Sequence, residues 1–282
     1  MSHIRRLTLI ALVAAVGAFA GASQAALQEL PLDMLSGSGI PDGKNIKTYP
    51  ATVDAIVRVM VQKFQLPVPR GKLLVYATRE DFERGLVEHL KIAPDLAQST
   101  ARFAKSAVGS CNVLVNEPAI AESTWPQRVE LLAHELTHSV QATLANRCGL
   151  AHHQWLIEGS AEWMAFNVTA SLNLDDMSNV RTRLAHKVRE LGRKDQLPRL
   201  TQLDSFGQWV SARNKYGFDG SYSLSFLITD FLVERYSFMQ VTDYFRHFEN
   251  SNDHLSNFKV VFGESVEDFE RVLDVYLSEL LK

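Results

Sequence analysis

Cysteine, excess charge and long apolar runs are all scarce in this chain. Only 2 of its 282 residues are cysteine, so at most one internal disulfide is available. Lysine and arginine total 29 against 32 acidic residues, a formal charge of −3. That is an ordinary soluble balance, and no basic stretch reads as a nucleic-acid surface. Beyond residue 20 no apolar stretch approaches the about 20 residues that a bilayer span needs. Internal repeats and low-complexity tracts are missing too, and no pattern sets an oligomeric state.

What is present begins with an export signal. Arg5 and Arg6 precede an apolar run from Leu7 to Ala20, and Ser23 and Ala25 supply small residues at the −3 and −1 positions. This predicts a signal peptide over 1–25, cleaved near Ala25, with no cysteine there to make a lipoprotein. An uncleaved anchor is disfavoured, because the run is shorter than about 18 residues. Removal takes away two arginines and no acid, moving the formal charge from −3 to −5. The mature chain is therefore expected in a periplasm or outside the cell, with no membrane span.

The stretch that organises the remainder runs from Val129 to Glu162. It contains His134-Glu135-Leu136-Thr137-His138, the HExxH pattern, and Glu158 follows after nineteen intervening residues. Residues four apart on an α-helix project from one face a turn apart, so two imidazoles can reach one ion. The glutamate beside the first histidine then faces the same cleft and can take a proton from an activated water. Thr124 and Gln127 form a T-x-x-Q capping box and Gly149 offers a stop, which predicts a helix over about 125–147. Val129, Leu132, Leu136, Val140 and Leu144 make an apolar stripe nearly opposite the histidines, so these imidazoles are not core residues. A lone HExxH remains only a moderate signal.

The next segment sharpens it. Trp155-Leu156-Ile157-Glu158-Gly159-Ser160-Ala161-Glu162 resembles the W-L-x-E-G-x-A-E segment of gluzincin metallopeptidases, and in particular the peptidase MA-like family. The resemblance implies that His134, His138 and Glu158 hold Zn²⁺ and that Glu135 is the catalytic base. Two nitrogens and a carboxylate also suit zinc on chemical grounds, leaving a fourth position for water. Glu162, one turn after Glu158, is expected to accept the outer N–H of a ligand histidine; the alternative is an exposed helix glutamate. Gly159, Ser160 and Ala161 are small enough to let this helix approach the first closely. Tyr222-Ser-Leu-Ser-Phe226, running into Phe231–Tyr236, is similar to the family's tyrosine-bearing helix, and Phe262–Ser265 with the closing helix to its tail. The likeness covers roughly Val113 to the C-terminus, sharp at the metal motif and loose elsewhere. His152-His153-Gln154 stands where many relatives carry proline, and is expected to be a solvent-exposed loop; the alternative is that either histidine touches metal or substrate. No G-x-M-E-N stretch is present to bind a free α-amine, which removes the usual support for an aminopeptidase.

Export bears on the cysteines. Cys111 and Cys148 can pair in an oxidising compartment, a link worth about 4 kcal/mol on the loop-entropy account. Two free buried thiols are the alternative. Zinc ligation by Cys148 is disfavoured, because ten helical residues place it roughly 15 Å from His138.

Residues 26–50 form a poorly patterned lead-in with turn signals. Val53, Ile56, Val57, Met60, Val61 and Phe64 then describe an amphipathic helix ended by Pro67 and Pro69. Residues 72–77 read as a strand, 79–92 as a helix and 110–116 as a second strand with Val113 and Val115 on one face. In gluzincins an edge strand before the metal helix pairs with extended substrate, and 111–116 resembles it; an internal strand is equally consistent. Past Glu162 the chain reads as helical, with helices over 177–191, 221–235, 241–248 and 266–281. Arg181, Arg183, Lys187 and Arg189 read as a solvated face.

The expected fold is α+β and zincin-like, with a small α/β lobe over 51–124, a mainly helical lobe over 125–282, and the HExxH helix between them. The expected function is a zinc metallopeptidase acting on a peptide or protein substrate. Tyr222 is either a hydroxyl donor to the developing oxyanion or a packed tyrosine. The alternative function is a non-catalytic periplasmic module that retains the metal site; Glu135 counts against it, since a structural zinc site needs no base.

Overall fold

The computed structural model describes residues 28–282 apart from 37, 195 and 281. The expected signal peptide over 1–25 lies outside the described residues. Within them the chain is α+β and mainly helical, with one four-stranded mixed sheet.

The lead-in contributes strand β1 (Gln28–Pro31) and a short 3₁₀ turn, Gly43–Asn45. Helix α1 (Tyr49–Arg58) starts where Thr48 accepts from the Ala51 amide, with Pro50 in the first turn, and it runs into a π-helical turn, Val59–Lys63. Strand β2 (Lys72–Tyr76) leads to α2 (Arg79–Leu90), capped by Thr78 and stopped by Lys91 in the left-handed conformation. Then come α3 (Pro94–Ala101), β3 (Ser106–Gly109) and β4 (Asn112–Asn116). The sheet order is β1-β2-β4-β3; β2 and β4 are parallel, and the other two pairings are antiparallel.

Period-two alternation divides the sheet between two cores. Leu73, Val75, Val113 and Val115 join the main core with α1 and the metal-motif helix, while Leu74, Tyr76 and Leu114 pack on Phe82, Leu86, Ala97 and Ala101 of α2 and α3. Strand β4 is interior, flanked by β2 and β3. The edge role suggested for 111–116 therefore does not belong to it. Among the described residues the edges are β1 and β3, and β3 is joined to β4 through a two-residue turn whose residues Ser110 and Cys111 have φ of 50° and 62°.

Helix α4 (Trp125–Leu144) carries the HExxH residues. The Thr124 amide donates to Gln127 Oε1 at 2.8 Å, the expected box. The helix stops before the expected 147, because Asn146 takes the left-handed conformation, φ 51°, ahead of Gly149. Arg147 N–H then donates to Ala142 O at 3.0 Å and Asn146 N–H to Thr143 O at 3.2 Å, closing the end. The following loop holds Cys148, linked to Cys111 with a Cα–Cα distance of 5.2 Å.

Helix α5 (Gln154–Ser171) is buried nearly all round, with Trp155, Leu156, Ala161, Met164 and Val168 inaccessible. Then follow α6 (Met177–Lys194), α7 (Phe206–Tyr216), α8 (Phe218–Arg235), α9 (Phe238–His247), α10 (His254–Phe262) and α11 (Val266–Leu280). Helix α5 lies between α4 and α8. Gly159 serves the α8 contact and not, as expected, the approach to α4: a Cβ there would come within 2.3 Å of Ser225 O. Ser160 is the small residue that meets α4, through Gln141. The basic face of α6 is pinned, not merely solvated. Arg181 grips Asp230 with two bonds of 2.7 and 2.9 Å, and Trp163 Nε1 donates to the same carboxylate at 2.9 Å. Among the described residues no helix is long and apolar enough to cross a membrane.

Candidate metal centre

Three side chains from α4 and α5 converge. His134 Nε2 and His138 Nε2 lie 3.1 Å apart, and Glu158 Oε2 is 3.4 Å from the first and 3.7 Å from the second. Donors about 2.0–2.2 Å from a tetrahedral cation stand roughly 3.3–3.6 Å apart, so the triangle has the size of one face of such a site. Two imidazoles and a carboxylate are also the donor set that zinc takes, and the residues fit the ion.

The electrostatics favour positive charge at this point. Burial opposes charge on His134, but the carboxylates of Glu158 and Glu162 beside it outweigh that and raise the pKa well above 6.5. His138 shifts the same way: burial opposes, and Glu158 prevails. Burial would raise the Glu158 carboxyl, yet the two histidines bring it below 4.5. The cluster is built to hold a cation or protons in its place.

The outer nitrogens are held as well. Gln141 Nε2 donates to Ile157 O at 2.8 Å and Ser160 Oγ at 2.9 Å, which turns its Oε1 to His138 Nδ1 at 2.9 Å. Nδ1 of His138 is then the protonated nitrogen, and Nε2 presents its lone pair to the cluster. His134 Nδ1 lies 3.0 Å from Glu162 Oε1, an ion-pair contact off the N–H direction. The structure thus brings Glu162 to His134, one of the two candidate ligand histidines. Gln141 is absent from the sequence reading, although its place three residues after His138 on one helix face could have found it.

Glu135 is buried, and its Oε1 accepts from Ser106 Oγ at 2.7 Å. Ser106 opens edge strand β3, and nothing in the local sequence marks it. Tyr222, on α8, sets its ring 5.7 Å from that of His134, stacked on Phe218 and edge-on to Trp209. Burial first, and then Glu158, raise its pKa well above 10.0, so the hydroxyl keeps its proton. Arg213 of α7 lies over Phe218 at 5.0 Å and is the cation acting on Tyr222; the sequence reading did not foresee α7. One turn before His134, burial and then Glu162 push the Glu130 carboxyl up to about 7.

His152 lies in a loop with its side chain 45% exposed, as expected, whereas His153 does not share that exposure. His153 is buried, accepts or donates at Nδ1 with the Tyr244 hydroxyl at 2.7 Å, and is held neutral, its pKa pushed by burial to about 3. The expectation of exposure failed for His153 because Tyr244 and Asp204, which enclose it, lie far along the chain.

Known protein families, curated proteins and solved structures offer no match to this chain. What the site does must follow from its own atoms.

Proposed function

We propose that the protein is a zinc-dependent metallopeptidase of the gluzincin type, exported to a periplasm or secreted. The carrying observation is the convergence of His134, His138 and Glu158 with Glu135 held beside them. The resemblance of W-L-x-E-G-x-A-E to the peptidase MA-like family supports a zincin-like reading of the fold. The Cys111–Cys148 bridge suits an oxidising compartment.

His134, His138 and Glu158 would hold the ion, which would supply Lewis acidity and make water a readier proton donor to Glu135. Ser106 occupies Oε1 of Glu135, which leaves Oε2 to take the proton of the attacking water. A C–O bond forms at the peptide carbonyl, the C–N bond breaks, and Glu135 returns its proton to the leaving amine. Gln141 and Glu162 keep the two imidazoles in the required orientation. Tyr222, proton retained, donates to the oxygen that gains charge. Strand β3 pairs only with β4 among the described residues, and its other edge offers backbone groups to an extended peptide with little side-chain preference.

The test is Glu135→Gln, assayed against unfolded protein substrates with metal content measured in parallel. Peptidase activity in the parent, lost in a variant that still holds zinc, supports the reading. A zinc-loaded parent with no hydrolytic activity sinks it in favour of a non-catalytic metal-holding module.

A further inference from the structure

We propose a second cation site, formed by His152, Asp204 and His254, that takes a divalent transition metal of the zinc class and clasps three separate segments together. His152 precedes α5, Asp204 lies in the loop before α7, and His254 is the first residue of α10. Nothing in the sequence links them.

The two separations from the carboxylate resemble those of the first site, although the imidazole rings are stacked here and edge-on there. Asp204 Oδ2 is 3.3 Å from His152 Nδ1 and 3.7 Å from His254 Nε2. All three donor atoms lie within 4.8 Å of one another. The longer separation exceeds a hydrogen bond, whereas both lie close to the roughly 3.3–3.6 Å between donors on a tetrahedral ion. The rings of His152 and His254 stack face to face, 4.2 Å apart and 7° from parallel. Their in-plane lone pairs therefore lie in parallel planes, and one ring must turn about its Cβ–Cγ bond to bring both donors onto a shared cation.

The carboxylate is aimed in advance. Its Oδ1 accepts from the His153 amide at 2.8 Å, which leaves Oδ2 for the histidine pair. His153 Nε2 stands 3.7 Å from Oδ1, and Tyr244 holds its other nitrogen. Asp253, next to His254, is committed to capping α10, accepting from the Ser256 amide at 3.0 Å. An ion can enter: the side chains of His152, Asp204 and His254 are 45, 24 and 18% exposed. Two imidazoles and one carboxylate select zinc, nickel or copper over calcium or magnesium. The ion would fix the start of α5, about 6 Å along the helix from Glu158 at 1.5 Å per residue.

The experiment measures zinc retained after loading the purified full chain with zinc sulphate and desalting. The parent should retain about two ions per chain, His134→Ala/His138→Ala one, and His152→Ala/His254→Ala one, with the fourfold variant near none. A parent with one ion that is lost in His134→Ala/His138→Ala overturns the second site and leaves the first standing. One ion kept in that variant and lost in His152→Ala/His254→Ala supports the second site and removes the first. Should the alanine pair fail to fold, Asp204→Asn keeps the Oδ1 acceptor and deletes the charge. In the His134→Ala/His138→Ala background it should weaken zinc binding by about a hundredfold, read by competition with a chromophoric chelator. Unchanged affinity there overturns the proposal.

Discussion

His138 Nδ1 meets Gln141 Oε1 at 2.9 Å, and the same amide's nitrogen is fixed by Ile157 O and Ser160 Oγ on the neighbouring helix. One side chain therefore ties His138 on α4, a proposed ligand, to the backbone just before Glu158. Replacing it with leucine keeps the volume and removes both links. Gln141→Leu should weaken zinc affinity by about 10–100-fold without abolishing binding, measured by chelator competition. An affinity equal to the parent's would show that His138 needs no such partner.

Tyr222→Phe keeps the ring on His134 and Phe218 and deletes the hydroxyl. An oxyanion donor predicts a fall in kcat of about a hundredfold with KM and thermal stability close to the parent's. A packing role predicts near-normal kcat. Steady-state kinetics beside a melting curve separates the two.

Cys111→Ser/Cys148→Ser should lose about 4 kcal/mol of stability on the loop-entropy account, for a sequence separation of 37. Intact mass after alkylation under denaturing conditions should show no label unless reductant comes first. Two labels without reductant would rule the bridge out.

Glu130 gives a pH signature in the metal-free protein. Its folded pKa, about 7, exceeds the ordinary 4.5 through burial and the charge of Glu162. The native state thus binds more protons than the unfolded chain between those values, so this group's contribution falls as pH rises through that window. Glu130→Gln should gain stability relative to the parent at pH 8 and little or none at pH 4.5. One pKa unit corresponds to about 1.4 kcal/mol, so the gain is a few kcal/mol at most. A difference that is the same at both pH values in denaturant titrations would refute the assignment.

Much of the candidate site was legible because it depends on local periodicity. Positions 134 and 138 share a helix face whatever the tertiary fold, and Thr124 and Gln127 mark where that helix begins. Val113 and Val115 share a sheet face for the same reason. Contacts that close through space were not legible. Ser106 reaches Glu135 across 29 positions and Tyr244 reaches His153 across 91. Strand β3 escaped notice because its turn is Ser110-Cys111, without the asparagine and glycine that usually announce two left-handed residues. Helix α7 was announced, by Ser205 and Gln208 as a capping box, and was missed all the same.

That Ser-Cys turn has a consequence for strand alignment. A hairpin without a strong turn signature is weakly fixed in register, and a slip of one residue sends every side chain of the strand to the opposite face. In β3 such a slip would point Ser106 away from Glu135 and undo the contact that leaves one carboxylate oxygen free. The tip of the hairpin is, however, bonded through Cys111 to the loop that follows α4, the helix bearing Glu135. The covalent link thus acts as an alignment pin: with it in place the strand can slide along its neighbour only by dragging the end of the helix with it.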